Sequence, residues 1–481
     1  MTFNIPDPEP PITQPVAGVE PAPRTSPIYV DKRPLRRYIL WFTVATAAFT
    51  TIWGSTTGIL LPNHIQMIEF GNWFVGADAG TNLQQLTQLK ASVDAGTVVP
   101  SADQQRLLGI LGQFEASRAA ALGFVISLST IATMLIQPLV GVFSDRTRSR
   151  LGRRAPWMLY GAIIGAVALV GLRFSPTITL VAVFWMIAQA VLNGALTPMT
   201  ATVADRIAEN KRGTVSSMAG LGNIIGGIVG AILAGALFST LGLNIYILWG
   251  ILVVLAVIMF VWRNPDKSTK EMKIPPFKWG AFFRGFVVPL RAADFRWVWI
   301  ARVLLVFGYT VSSALSLYML QSYVQPGLSA EEATSIAPLF AIAGLPFTVI
   351  AVIFAGRISD RVGRRKPFII VASLLMAVSM AVPLISPTVP ALFIQGVLGA
   401  LAFGIFLPVD QALFIDVLPD QEAAGRDLGI AAVATNLGQA LGPVLAAQVV
   451  VLTGGYQMVW ASALILVLVA AFAIIPVKGA R

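Results

Sequence analysis

The sequence predicts an all-α membrane protein with twelve transmembrane helices in two related six-helix bundles, and three observations carry this prediction. Of the 481 residues, 56% are apolar and only 12% are charged, whereas a soluble protein has about 25% charged residues. Twelve apolar stretches approach the roughly 20 residues that a helix needs to cross a bilayer. The two halves of the chain also carry the same loop sequence at the same place.

The composition excludes several classes of function. The chain has no cysteine and one histidine, His64, so disulfides, thiolate metal sites, histidine clusters and histidine-dependent triads are not expected. Because no nucleophile–base arrangement is apparent, we expect no enzyme, no catalytic residue, no metal site and no cofactor. The net charge of +11 does not indicate nucleic acid, since the basic residues form short clusters between apolar stretches.

The predicted domains follow the apolar stretches. We expect a disordered, proline-rich cytoplasmic tail at 1–38, an N-terminal bundle at 39–262, a cytoplasmic linker at 263–296, a C-terminal bundle at 297–475 and a short tail at 476–481. The twelve predicted spans are 39–61, 119–140, 157–174, 178–200, 215–238, 244–262, 297–320, 336–355, 368–385, 389–411, 428–452 and 456–475.

Two polar segments have more than one interpretation. The outside loop at 62–117 is long, and leucines at helical spacing in residues 82–90 favour either a short amphipathic helix over the outer mouth or a packing insert. In the linker, the aromatic and basic piece Phe277–Phe286 suits a helix in the headgroup region or an exposed connection.

The distribution of basic residues predicts the orientation. With both termini in the cytoplasm, 29 of the 34 lysines and arginines lie in cytoplasmic segments and four lie outside. Because cytoplasmic loops are enriched in Lys and Arg, we expect both termini to be cytoplasmic. The outside loops have no glycosylation sequon, which fits a bacterial inner membrane.

Two pairs of loops repeat along the chain. The sequence GVFSDRTRSRLGRRAP follows the second span and GRISDRVGRRKP follows the eighth, so that Asp145 and Asp360 are 215 residues apart. After the fourth and tenth spans, Asp205 and Asp416 are 211 residues apart. Two long and nearly equal offsets indicate that the chain arose by duplication of six spans.

These paired loops resemble the signature loops of the major facilitator superfamily. The first loop has four extra residues between its Asp and its Gly, which resembles the glycoside–pentoside–hexuronide:cation symporters and the related sucrose transporters. The resemblance implies the major facilitator fold, alternating-access transport and a cavity lined by spans 1, 4, 7 and 10. The membrane aspartates that melibiose permeases carry in spans 2 and 4 are missing here, which puts a sodium site of that kind in doubt.

We expect the two loops to form a latch at the cytoplasmic face. Carboxylates past the ends of spans 2 and 8 can accept backbone N–H groups of a neighbouring helix or pair with arginine. Alternatively, the outermost arginines only set the topology. The predicted gating residues are Asp145, Arg146, Gly152, Arg153, Asp360, Arg361, Gly363 and Arg364.

Polar residues at helical spacing mark one face of each of the four cavity-lining spans. Polar side chains at lipid depth are costly unless they face protein or water, so these faces should point inward, although threonines can also bond to their own helix. The predicted substrate-binding residues are Thr46, Thr50, Trp53, Trp185, Gln189, Asn193, Tyr309 and Gln395.

The chemistry of these faces predicts the substrate. They carry amides, hydroxyls and indoles and almost no charge, which suits a neutral, polyhydroxylated solute. We therefore expect a secondary transporter of the plasma membrane for a sugar or glycoside. Two alternatives are a drug/proton antiporter, which the Gly-x-x-x-Gly-Pro run at 438–443 suggests, and a transport-dead sensor on the same fold.

Two charged residues interrupt spans 7 and 10. Arg302 and Asp410 both lie near the cytoplasmic ends of their spans, and we expect them to pair within the C-terminal bundle. The pair is either structural or gating, or it takes part in ion coupling. Coupling to a proton, coupling to another cation and plain facilitation all stay open. The expected partners are the solute, a coupling ion and the bilayer.

Overall fold

The structure, a computed structural model, describes residue 29, residues 32–271, residue 280, residues 289–418 and residues 424–477. The predicted tail up to residue 28, the Phe277–Phe286 piece and residues 478–481 lie outside the described residues. Within the described ranges the chain is helical apart from turns, short connections and an isolated bridge between Tyr29 and Ile207.

Eight α-helices make up the described part of the first half of the chain. They are α1 (Lys32–Ser55), α2 (Leu61–Trp73), α3 (Leu83–Asp94), α4 (Ala102–Asp145), α5 (Ala155–Arg173), α6 (Ile178–Arg206), α7 (Glu209–Leu241) and α8 (Ile245–Arg263).

Seven described α-helices make up the second half. They are α9 (Ala293–Ser313), α10 (Ser316–Ser322), α11 (Ala330–Val362), α12 (Lys366–Ile385), α13 (Val389–Asp416), α14 (Ala424–Thr453) and α15 (Gln457–Ala473).

The helices agree with the predicted membrane character. Ten described helical stretches are long and apolar enough to cross a membrane, and one of them, Lys211–Arg263, contains both α7 and α8. The helix α15 is a shorter apolar helix of 17 residues.

The predicted outside loop at 62–117 is mostly helical, which corrects its description as a loop. The helix of the first span continues from α1 through a π-helical turn into α2 and ends at Trp73. The helix α4 begins at Ala102 instead of residue 119. The start of α4 is fixed by a capping box, in which Ser101 accepts from the Gln104 N–H and the Gln104 side chain accepts from the Ser101 N–H. Hydropathy detects only the apolar part of a helix, so it missed these polar extensions.

The two halves repeat one packing pattern. In the first half, α1 packs against α7 and α8, α4 packs against α6, and α5 packs against α6 and α8. In the second half, α9 packs against α14 and α15, α11 packs against α13, and α12 packs against α13 and α15. Each helix pair of the first half therefore has a counterpart in the second, as expected for a duplicated unit.

The halves contact each other mainly through two helix pairs, α4 with α14 and α7 with α11. We call the end of the molecule where α1 begins and α8 ends the terminal face, and the other end the opposite face. A Cβ added at Gly123 would lie 2.6 Å from the Pro443 carbonyl oxygen, and one added at Gly235 would lie 2.8 Å from the Thr334 oxygen. Both contacts are in the parts of the helices nearer the opposite face.

The first transmembrane helix of each half is interrupted midway. In the first half, the π-helical turn Thr56–Leu60 separates α1 from α2. In the second half the chain leaves α-helical geometry at Ala314 and Leu315, between α9 and α10. Such interruptions frequently mark functional positions in a helix.

We predict that Gly226→Ala destabilises the protein and that Gly227→Ala does not. A Cβ at Gly226 would lie 2.3 Å from both the Ala47 oxygen and the Thr50 Oγ1, whereas a Cβ at Gly227 would have no atom within 4 Å. Forcing α1 and α7 apart should cost about 1–3 kcal/mol. The measurement is the thermal unfolding midpoint of each purified variant in detergent, and equal midpoints would contradict the described packing.

Candidate functional site

A cavity of about 460 Å³ lies between the two halves. We call it the amide cavity, because amide side chains from three helices line it. Gln137 comes from α4, Gln189 and Asn193 come from α6, and Asn436 and Gln439 come from α14 of the second half. The lining also includes the π-helical turn and several hydroxyl side chains, at Thr57, Gly58, Thr130, Thr133, Thr310 and Ser313.

The amides of the first half form a chain of hydrogen bonds. Gln137 Nε2 donates to Asn193 Oδ1 over 3.3 Å, and Asn193 Nδ2 donates to Gln189 Oε1 over 2.9 Å and to the Gln189 carbonyl over 2.8 Å. Gln189 and Asn193 share one helix face because they are four residues apart. Each amide carries two N–H donors and an oxygen with two lone pairs, so the chain is held in place and keeps capacity for a ligand.

The amides of α14 reach the cavity from the other half. Asn436 and Gln439 are three residues apart on one face, and Gln439 is exposed although it lies in the middle of a long helix. Exposure at this depth means that the cavity admits water. The prediction from sequence missed these two residues and Gln137, because it examined only spans 1, 4, 7 and 10. The missed signal was the same polar spacing in spans 2 and 11.

A second cavity of about 420 Å³ adjoins the first. We call it the aromatic cavity, because Tyr309, Phe340, Phe403 and Trp460 line it. The rings of Tyr309 and Phe403 are stacked with centroids 5.1 Å apart. The polar atoms of this cavity include the Gln395 amide and the hydroxyls of Ser312, Ser316 and Thr348, and Ser313 lines both cavities.

The structure brings five of the eight predicted substrate-binding residues to the two cavities. Trp53, Gln189 and Asn193 line the amide cavity, and Tyr309 and Gln395 line the aromatic cavity. Their part in binding stays a prediction.

The other three predicted residues pack between helices instead. The Thr46 hydroxyl donates to the Phe42 carbonyl over 2.7 Å, and Thr50 donates to the Thr46 carbonyl over 3.1 Å. These bonds to the preceding turn satisfy the hydroxyls within their own helix. Trp185 is fully buried in the core. The structure therefore places the predicted amides at a cavity and these three side chains in helix packing, and the part of each residue in substrate binding stays a prediction.

The first signature loop is held by ion pairs within its own half. Asp145 pairs with Arg154 at 2.5 Å, and Asp205 at the end of α6 accepts from both Arg153 at 2.6 Å and Arg154 at 3.0 Å. The second half repeats one of these pairs, because Arg365 binds Asp416 at 2.8 Å. Arg154 and Arg365 are 211 residues apart, as are Asp205 and Asp416.

Glycine ends the turn of each signature loop. Gly152 has a φ of +85° and Gly363 a φ of +64°, which only glycine adopts readily. Arg146 follows α4 as its cap, and Arg361 and Arg364 are exposed. The Asp360 side chain lies outside the described structure. The latch between the halves stays a prediction for these gating residues.

The start of the predicted linker docks onto the first loop. A Cβ at Gly152 would lie 2.6 Å from Asp266, and Asp266 forms a buried ion pair with Arg206 at 3.1 Å. Thr269 is bonded to the loop through backbone and side chain. Its N–H donates to the Ser149 carbonyl over 3.0 Å, and its Oγ1 accepts from the Ser149 N–H over 3.2 Å and donates to the Thr147 carbonyl over 3.1 Å.

The predicted contact between Arg302 and Asp410 is present. Arg302 Nε donates to Asp410 Oδ2 over 2.6 Å, and its Nη1 donates to the Ala431 carbonyl over 3.1 Å. The guanidinium lies 4.0 Å from the centre of the Phe414 ring. All of these partners belong to the second half, and neither charged residue lines a cavity.

At the opposite face, Arg118 joins the two halves. It is fully buried and donates to Gln66 over 2.8 Å in its own half, and to Gln321 over 3.1 Å and Ser322 over 2.7 Å in the other half. The guanidinium also lies 4.4 Å from the centre of the Tyr318 ring. The sequence had placed Arg118 in an outside loop, so its structural part was not foreseen.

The predicted short helix of the outside segment is confirmed as α3. Its Gln84 Nε2 donates to the Gly327 carbonyl and to Glu332 Oε2 of the second half, each over 3.2 Å. On the other side, Lys90 pairs with Glu115 of α4 at 2.8 Å. This helix therefore binds both halves at the opposite face.

A bidentate ion pair stabilises the connection before α3. Arg106 donates to the two carboxylate oxygens of Asp78 over 2.6 and 2.8 Å, and this bonding lowers the pKa of Asp78 from its usual value. The contact ties the 3₁₀ turn Gly76–Gly80 to the start of α4.

Comparison with protein families gives one match over most of the chain. A family model described as "MFS/sugar transport protein" matches residues 116–477. Among solved structures, the crystal structure of nucleoside transporter NupG superposes with a TM-score of 0.65 at 15% identity, covering 92% of this chain and 98% of NupG. At that identity the likeness concerns the fold alone.

Curated relatives match over shorter stretches. The multi-drug resistance efflux pump PmrA of Streptococcus pneumoniae is 27% identical over 32% of this chain, and the general alpha-glucoside permease of Schizosaccharomyces pombe is 24% identical over 30%. The sucrose transport protein SUT1 of Oryza sativa is 46% identical over 10%. The matches span 38%, 29% and 9% of the lengths of these relatives.

We predict that Asp410→Leu strongly destabilises the protein and that adding Arg302→Met restores most of the loss. Removing one partner leaves a buried charge without compensation, at a cost of about 3–5 kcal/mol, whereas replacing both with apolar groups can be nearly neutral. Thermal unfolding of the single and double variants in detergent measures the difference. A double variant as unstable as the single one would contradict a simple structural pair.

Proposed function

Because the chain belongs to the MFS/sugar transport protein family, we propose that it is a secondary transporter that moves a sugar or glycoside across the plasma membrane by alternating access. The family match and the short match to a sucrose transport protein confirm the resemblance that the paired loops indicated. The observation that carries the proposed substrate is the amide cavity between the two halves.

The lining of the amide cavity suits a neutral, polyhydroxylated solute. Each sugar hydroxyl both donates and accepts a hydrogen bond, and an amide side chain offers both partners. Gln189 and Asn193 face the cavity from one half, and Asn436 and Gln439 face it from the other. Trp53 adds an indole that also lines the cavity. A ligand held between these residues is contacted by both halves, as alternating access requires.

The proposed topology has twelve spans with both termini in the cytoplasm. The basic residues support this orientation, since most of them lie at the terminal face. The terminal face is then cytoplasmic, and the Arg118 contacts close the outer side of the cavity. In this topology the structure represents the state that is closed to the outside.

Alternating access in this proposal exchanges two sets of contacts. The outer contacts, formed by Arg118 with Gln321 and Ser322, break when the halves rock to open the outer side. The signature loops then come together at the cytoplasmic face, where Asp145 and Asp360 act as the latch. A difference of a few kcal/mol between the two sets is enough to shift the population from one state to the other.

We assign a structural function to the Arg302–Asp410 pair. The pair lies within one half, where Arg302 donates to Asp410 and to the Ala431 carbonyl, and it is separate from both cavities. Because this pair is not assigned to ion coupling, coupling of transport to an ion is tested by imposing ion gradients.

A second candidate function is efflux of amphipathic drugs. The match to the efflux pump PmrA and the aromatic cavity with its Tyr309–Phe403 stack favour it. The amide chain favours the saccharide proposal, because a hydrophobic drug would leave those buried amides without partners.

The test is uptake of labelled disaccharides and α-glucosides into proteoliposomes, with no gradient, with a proton gradient and with a sodium gradient. We expect uptake of at least one saccharide, and the gradient that raises the accumulated amount identifies the coupling ion. No saccharide uptake together with expulsion of a cationic dye would reject the proposal and favour efflux.

We further predict that Asn193→Ala and Gln189→Ala each weaken saccharide binding by about tenfold or more, the effect of losing about 1–3 kcal/mol of hydrogen bonding at a buried amide. Equilibrium binding of the transported saccharide to the purified protein measures the change.

The matched control is Thr46→Val, which removes a hydroxyl that bonds only to its own helix and should leave binding unchanged. Unaltered binding in both amide variants would show that the amide cavity is not the saccharide site.

A further inference from the structure

The two cavities are counterparts under the internal repeat. The amide cavity is lined mainly by α1, α4 and α6 of the first half, together with α9 and α14 of the second. The aromatic cavity is lined mainly by α9, α10, α11 and α13 of the second half, with Trp460 of α15 and with α7 of the first half. The packing pattern relates α1, α4, α6 and α14 to α9, α11, α13 and α7, so the duplication accounts for two related cavities, each lined by both halves.

Residue offsets show how the two cavities diverged. Thr133 of the amide cavity and Thr348 of the aromatic cavity are related by the offset of 215 and have kept the same side chain. At the offset of 211, Gln189 corresponds to Ala400, which lines the aromatic cavity. Asn193 corresponds to Gly404. The two amides of α6 are thus replaced by small apolar residues at the related positions, and one of these, Ala400, lines the aromatic cavity.

The aromatic cavity presents ring surface in place of hydrogen-bonding groups. Tyr309 and Phe403 are stacked, and the ring of Phe340 lies 4.4 Å from that of Phe393. Volumes near 400 Å³ are within the range of about 300–1,000 Å³ found for small-molecule sites. Because the cavities adjoin at the exposed Ser313, one ligand can occupy both.

We propose that the substrate is a glycoside whose sugar binds in the amide cavity and whose apolar, ring-bearing aglycone binds in the aromatic cavity. The inference rests on the proposed function and specifies its substrate class. An unsubstituted sugar would leave the aromatic cavity without an apolar ligand, whereas an aglycone ring buries its surface against Tyr309 and Phe403.

Gly396 allows the aromatic cavity to be filled selectively. It lines that cavity, and a Cβ there would lie 3.8 Å from the Phe340 Cβ, an ordinary contact distance. The substitution Gly396→Val therefore places its Cβ without a clash and adds two methyl groups to the lining of the cavity. The matched control is Gly220→Val, at a helical glycine with no atom within 4 Å of an added Cβ and outside both cavities.

The experiment measures equilibrium binding of methyl and phenyl glycosides to the full-length protein in nanodiscs. The probes are both anomers of methyl and phenyl glucoside, galactoside and xyloside, together with phenol alone. We expect the phenyl form of the recognised sugar to bind about tenfold tighter than the methyl form, as for burial of an aromatic ring. We expect Gly396→Val to bring this ratio close to one, Gly220→Val to preserve it, and Asn193→Ala to weaken both forms by a similar factor.

Three outcomes would overturn the inference. Equal affinity for the methyl and phenyl forms would contradict the proposed aglycone site without contradicting the proposed recognition of the sugar. A phenyl preference that survives Gly396→Val would place the aglycone outside the aromatic cavity. Binding of phenol alone, without binding of any glycoside, would reject the sugar function and the inference together.

Discussion

The requirement that polar groups at lipid depth find partners governs the whole of this structure. Threonines meet it by bonding to the preceding turn, as Thr46 does with Phe42. The buried charges meet it in pairs, as Arg302 and Asp410 do. Gln137, Gln189 and Asn193 meet it only partly through one another and complete it across a water-accessible space between the halves. Partners for the remaining donors and acceptors have to come from water or from a solute, and this requirement supports the proposal that the cavity binds a saccharide.

The duplication explains the shared helix packing of the two halves, and the divergence of the two copies explains the different chemistry of the cavity linings. The helix pairs and the loop ion pairs have stayed equivalent, as Arg154–Asp205 and Arg365–Asp416 demonstrate. The cavity linings have separated into one polar and one aromatic surface. The contacts at the two faces also differ. Arg118 and α3 join the halves at the opposite face, whereas the ion pairs of the first signature loop stay within their own half.

Much of the fold could be predicted from sequence, because apolar length, charged loops and repeat offsets are local or periodic signals. The apolar spans, the α3 helix and the pairing of Arg302 with Asp410 all follow from such signals. Site residues were predicted less completely. A polar stripe shows which residues share a face, but only tertiary packing decides whether that face meets a cavity or another helix, as it decides for Asn193 and Trp185. The amides of α14 do show polar helical spacing, but only packing reveals that their face meets the cavity. The buried position of Arg118 depends on contacts between distant parts of the chain, which no local pattern encodes.

The hydrogen bonds between Thr269 and Ser149 fix the start of the interdomain connection to the first half. The part of the chain that joins the halves without this attachment therefore begins after Thr269 and not at Arg263, where α8 ends. In the proposed alternating access, tension from a moving second half would reach the first half at the turn that contains Gly152, next to the buried Arg206–Asp266 pair. The backbone would then link displacement of one half directly to the signature loop of the other.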